Sequence, residues 1–141
     1  MASSDIDVVR DQFGAVNERD FARAMNHYAD DVVLVVPGEG LQSGTFEGKQ
    51  AVGEWFGDWF RTFDRDYRFE VKEARELRDG LIYLLAEHGG RGRLSGAEVQ
   101  GENAYLYRVR DGKVFRVGFF ASRDEALEAA SLSEWSGGET D

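Results

Sequence analysis

Few residues in this chain can move protons, and they are dispersed. Histidine occurs twice, at His27 and His88, and cysteine is absent, which closes thiolate and disulfide chemistry. His88 directly follows Glu87. Neighbours in a strand point to opposite faces, so at most one of the pair meets a cavity, and an inward His88 is the best-placed acid or base. Asn103, Tyr105 and Tyr107 alternate along one segment and give a wall with hydrogen-bonding handles. His27 lies beside Tyr28 at the edge of an apolar stripe, where a partly exposed helix histidine is expected.

Other chemistries lack their motifs. The two histidines do not form His-Glu-x-x-His, so a zinc site is not expected. No Gly-x-Ser-x-Gly elbow occurs. Gly89-Gly90-Arg91-Gly92-Arg93 lacks the Gly-Lys-Ser/Thr ending of a phosphate loop and reads as a bent strand with solvated arginines. No metal or cofactor is expected.

Composition narrows the partners. Seventeen basic against 27 acidic residues give a net charge of −10, a field that repels phosphate backbones and anionic lipid. Nucleic-acid and membrane partners are therefore not expected. With 141 residues the chain reads as one domain over 1–135 and a frayed tail over 136–141. The absence of cysteine, and an N-terminus without a basic or long apolar stretch, lead to the expectation of a cytoplasmic protein. Aromatics make up 13% of the residues, which argues for a packed core or a lined cavity.

The elements that would position these groups follow from periodicity. Ser4 and Asp7 form a capping box, and Val9, Phe13 and Val16 recur at helical spacing, so 5–17 reads as a helix. Phe21, Ala24, Met25 and Tyr28 make a second short stripe, and Val32–Val36 reads as a strand ended by Pro37. Gly44–Gly48 is a turn or short extended piece. Val52, Trp55, Phe56, Trp59, Phe60 and Phe63 give a wide helical face. Tyr67, Phe69 and Val71 alternate as a strand, and the charge run over 64–79 reads as a solvated face. Asp79-Gly80 signals a hairpin into a strand at Leu81–Ala86, and Gly89, Gly90 and Gly92 suggest a bulge beyond it. Val99–Arg110 is a further strand. After the Asp111-Gly112 turn comes a last one, with Phe115, Val117, Phe119 and Ala121 on one face. Ser122 and Glu125 cap a terminal helix. Helices first and antiparallel strands later make an α+β domain.

This order, with Tyr28-Ala29-Asp30-Asp31 before the first strand and Asp111-Gly112-Lys113 before the last, resembles the nuclear transport factor 2-like superfamily. Within it the chain is most similar to the SnoaL-like group, relatives of polyketide cyclases and ketosteroid isomerases. The resemblance covers about Val8 to Leu132. It implies a curved, mostly antiparallel sheet wrapped around a long helix, a cone whose apolar pocket is closed by N-terminal helices. It also implies homodimers packed through the outer sheet face. The general-base aspartate of the isomerases falls at Val36, which cannot take a proton. Their helix-one tyrosine falls near Gln12 or Phe13, and their late-strand acid near Tyr105 or Ala104.

Two readings follow. In the first, the pocket binds a small apolar or aromatic molecule and isomerises, cyclises or hydrates it. His88 and Tyr105 are then the catalytic groups, and Phe13, Tyr28, Trp55, Trp59, Asn103, Tyr107, Val117 and Phe119 contact the ligand. In the second, the same domain is a non-catalytic ligand carrier or a dimerisation module, which Val36 favours.

Overall fold

The computed structural model describes residues 5–38, 43–62, 67–78, 80–92, 96–132 and 135. Ser4 of the first capping box, Phe63, Asp79, Arg93 and the tail from 136 lie outside them.

Two short helices, α1 (Asp5–Asn17) and α2 (Phe21–Asn26), lead into β1 (Tyr28–Val36) and β2 (Gly44–Glu47). Helix α3 (Lys49–Arg61) follows, then β3 (Arg68–Arg78), β4 (Leu81–Arg91), β5 (Glu98–Arg110), β6 (Lys113–Phe120) and α4 (Arg123–Ala130). The six strands form one sheet in the order β2-β1-β6-β5-β4-β3. Only β1 and β6 run parallel; the other pairs are antiparallel. The expected α+β architecture, a curved mixed sheet with helices on its inner side, is thus the observed one.

Each face of the sheet has its own cluster. On the inner side α1 and α3 bury Val9, Phe13, Val16, Val52, Trp55 and Phe60 against Ile82, Leu84, Ala86, Tyr105, Tyr107, Val117 and Phe119. On the outer side α4 and Trp135 cover Leu81, Tyr83, Leu85, Ala104, Leu106 and Phe120. The apolar run of β4 is explained by this, since alternate residues are claimed by opposite layers. Part of the outer face over β4–β6, expected as a dimer contact, is covered by the chain's own C-terminal segment.

The ends of elements follow local chemistry. The Ser122 hydroxyl accepts the Glu125 amide at 3.1 Å, the expected N-cap of α4. Asp111 and Gly112 have φ of 55° and 78°, the paired left-handed residues of a tight hairpin.

Four expectations need correction. Tyr28 begins β1 instead of ending α2: His27 closes α2, and its carbonyl accepts the Val114 amide at 2.7 Å, starting the parallel pairing. The bulges lie at Val71/Glu73 and Glu76/Arg78 on β3 and near Val114–Arg116 on β6, whereas glycine-rich β4 pairs with β5 without a break. The β6 bulge turns Phe115 out of the inner face, where the guanidinium groups of Arg108 and Arg110 lie over its ring at 5.7 and 4.2 Å. Ala121 is exposed. The charge run over β3 is solvated on one side only, for Phe69, Val71 and Ala74 pack inward.

No helix among the described residues is long and apolar enough to cross a membrane.

Candidate active site on the inner face of the sheet

The inner wall is a continuous ring system. Phe13 of α1 meets Tyr105 edge-on at 5.2 Å and Phe69 at 5.4 Å. Tyr105 meets Phe119 at 5.1 Å, and Phe119 lies 5.5 and 5.4 Å from Trp55 and Trp59, which stack on each other at 5.7 Å. Tyr107 joins through Tyr105 at 6.1 Å, and its hydroxyl donates to Gln12 Oε1 at 3.4 Å. Tyr28 stacks on Phe56 at 6.3 Å, and Val117 is buried in the same cluster. The expected ligand-contacting residues are thus brought together, with Asn103 on the same pleat as Tyr105 and Tyr107.

His88 faces this wall. It follows Ile82, Leu84 and Ala86 in the inward alternation of β4, while Glu87 faces out, 3.8 Å from Lys72. The His88 Nδ1 lies 2.9 Å from the Tyr67 hydroxyl, and the Trp59 indole nitrogen lies 3.1 Å from that same oxygen. An indole N–H can only donate, so the Tyr67 oxygen accepts it, and we assign the Tyr67 proton to the bond with His88 Nδ1. Hydrogen-bond complementarity then puts the proton of the neutral imidazole on Nε2.

Burial reinforces that state. It holds His88 below its usual value, and it pushes Tyr67 up to about 12, so the phenol keeps its proton. Burial likewise raises Tyr28, Tyr105 and Tyr107 well above the ordinary phenol range. Among the described residues the buried polar or charged side chains are Gln12 and Arg108, and no carboxylate belongs to the inner cluster.

Two glycines make room for this arrangement. A Cβ on Gly90, whose φ is 155°, would lie 2.5 Å from the Tyr67 Cα, so the Tyr67 backbone sits directly on that glycine. A Cβ on Gly101, the cross-strand partner of His88, would lie 3.2 Å from His88 Nε2. The imidazole therefore leans over β5 where β5 has no side chain. Tyr67, Gly90 and Gly101 escaped the sequence reading as site residues. Alternation with Phe69 put Tyr67 on the right face, but nothing local paired it with His88.

One other feature belongs elsewhere. His27 Nε2 lies 2.7 Å from Asp11 Oδ2, a hydrogen bond that holds the Asp11 carboxyl below the usual range. A hollow of about 290 Å³ is lined mainly by Arg68, Glu70, Glu87 and Gln100 on the pleat opposite His88, and it also reaches His88 and Phe69. Among the described residues no three His, Cys, Asp or Glu side chains converge as metal ligands.

The model of the SnoaL-like domain matches residues 9–117. The chain belongs to the SnoaL-like domain family. The uncharacterized protein Rv0034 of Mycobacterium tuberculosis is 27% identical to this SnoaL-like domain over 126 residues, covering 89% of this chain and 95% of the relative. Two solved structures show the same fold. TerC, co-crystallized with polyporic acid, superposes with a TM-score of 0.74 at 19% identity over 89% of this chain and 97% of its own. RV0760c of Mycobacterium tuberculosis, in complex with estradiol-17beta-hemisuccinate, gives 0.70 at 19% identity over 83% and 92%. The fold is shared with nuclear transport factor 2-like proteins of known structure.

Proposed function

We propose that this SnoaL-like domain binds a small, uncharged, apolar or aromatic molecule against the inner aromatic wall, with His88 as its proton-transfer group. The observation that carries this is the Trp59–Tyr67–His88 chain, which holds a neutral imidazole, proton on Nε2, beside Trp59 and Phe69. Such a group can hydrogen-bond a ligand oxygen through Nε2–H as charge develops on it, while Tyr67 keeps its own proton and orients the ring through Nδ1. Tyr105, with its pKa raised by burial, stays a phenol and can hydrogen-bond the same ligand. TerC, co-crystallized with polyporic acid, and RV0760c, in complex with estradiol-17beta-hemisuccinate, support a small-molecule ligand. The reactions within reach are isomerisation, cyclisation and hydration.

A second reading is a carrier that binds without turnover. Val36, half-buried at the end of β1 at the position the family resemblance implies for the isomerase aspartate, and the absence of a carboxylate from the described inner cluster favour it.

One experiment separates them. Binding and turnover of hydrophobic ketones and epoxides are measured for the native chain and for His88→Gln, whose amide can still accept from Tyr67. The enzyme reading expects turnover that falls at least about 100-fold in His88→Gln while binding changes little. Binding with no turnover establishes the carrier, and no binding across the panel overturns both.

A further inference from the structure

Among the described residues the inner wall carries two buried polar atoms without a hydrogen-bond partner, the Tyr28 hydroxyl and Asn103 Oδ1, and Asn103 is the one on the strand that His88 leans over. Asn103 Oδ1 is shut off from solvent and has no hydrogen-bond partner among the described residues. Other polar groups of the wall are engaged: Trp59 Nε1 and His88 Nδ1 with the Tyr67 hydroxyl, and the Tyr107 hydroxyl with Gln12. A buried carbonyl without a donor is costly, and native interiors satisfy nearly all such groups. An apolar residue at 103 would remove that cost, as Ala86, its partner on β4, does on the adjacent strand.

The unmet group lies close to His88. The imidazole leans over Gly101 with Nε2 toward that residue, and Asn103 is the next inward position on the same strand, about 7 Å along. His88 Nε2–H is a donor and Asn103 Oδ1 an acceptor. A single hydroxyl between them satisfies both, accepting from Nε2 and donating to Oδ1. A ketone or ether oxygen can only accept, and it would leave Oδ1 unmet.

Resting on the binding site proposed above, we infer that His88 and Asn103 form a hydroxyl-selective subsite. Its ligands are neutral, largely apolar alcohols, phenols or enols, with Asn103 as the residue that selects them.

The test compares matched hydroxyl and methoxy compounds built on naphthalene, biphenyl and tetralin, by equilibrium dialysis. The native chain should bind the hydroxyl member at least about tenfold more tightly. Asn103→Leu should lose that preference by weakening the hydroxyl member, and its melting temperature without ligand should rise, because an unmet amide has been removed. Asn103→Ala gives the same comparison should the leucine fail to fold. Equal binding of both members by the native chain overturns the hydroxyl subsite and leaves the binding site standing. Retained preference in the variants, or a lower melting temperature in both, also overturns it. No binding of any compound overturns both readings together.

Discussion

His88 combines burial with a hydrogen bond that favours its neutral form, and this gives it a thermodynamic signature. Its folded-state value lies below the value of about 6.5 expected when unfolded. The unfolded chain therefore takes up the proton first as pH falls. Stability from this residue is complete above about 6.5 and is lost as pH drops through the folded-state value. His88→Gln removes that dependence. Its melting temperature should trail the native chain most at pH 7.5, and the gap should narrow toward pH 5. A constant gap would mean that the imidazole is not desolvated. At the same scale, Tyr67 explains why His88 was only half legible in the sequence. Alternation along β4 set His88 and Glu87 on opposite faces without saying which faces inward, and its partner is 21 residues away and is brought close only by β3–β4 pairing.

The element that decides the site is the β3–β4 edge. Among the described residues β3 is an edge strand, and the side chain of Asn17 at the end of α1 bonds its outer side. Its amide donates to the Phe69 carbonyl at 2.8 Å and its carbonyl accepts the Phe69 amide at 2.9 Å. Arg19 Nη2 adds a bond of 2.7 Å to the Tyr67 carbonyl. On the other side Tyr67 rests on Gly90. A methyl group at 90 would overlap Tyr67 backbone, which cannot swing aside, and it would also hold a left-handed φ. Gly90→Ala should cost more than about 2 kcal/mol in chemical denaturation and should detach Tyr67 from His88. A neutral substitution would show that this edge is pliable. The glycines of β4 advertise themselves in the sequence as a bend, yet the strand stays in register with β5, because Gly90 serves a close approach and Gly89 follows the regular pleat.

At the scale of the whole molecule, two layers share one sheet. The inner layer is the aromatic wall; the outer is closed by α4 and by Trp135, which is fully buried. Arg116 lies 5.0 Å over its ring, and a Cβ on Gly118 would come within 2.8 Å of it, so the indole lies flush against β6. Trp135→Ala should cost about 3–5 kcal/mol in denaturation. It should also expose part of the outer face and raise self-association in equilibrium sedimentation. An unchanged sedimentation profile with full loss of stability would assign Trp135 to the core alone. A native homodimer would have to use surface that α4 leaves bare, and the same sedimentation measurement on the native chain tests for it.

What the sequence determined by itself was everything carried by periodicity and turn chemistry. The helical faces of α1 and α3, the alternation of β5, the Asp111-Gly112 hairpin and the Ser122 cap are local, and each is set within a few residues. The resemblance built from them gave the fold. Tertiary structure alone decided where α2 stops, since Tyr28 becomes a strand residue by pairing with Val114, and which way Phe115 turns, since a bulge reverses its face. It also decided the site, because Tyr67, His88, Gly101 and Asn103 meet across three strands. Such non-local pairing is a property of strand register, which no window of neighbouring residues contains.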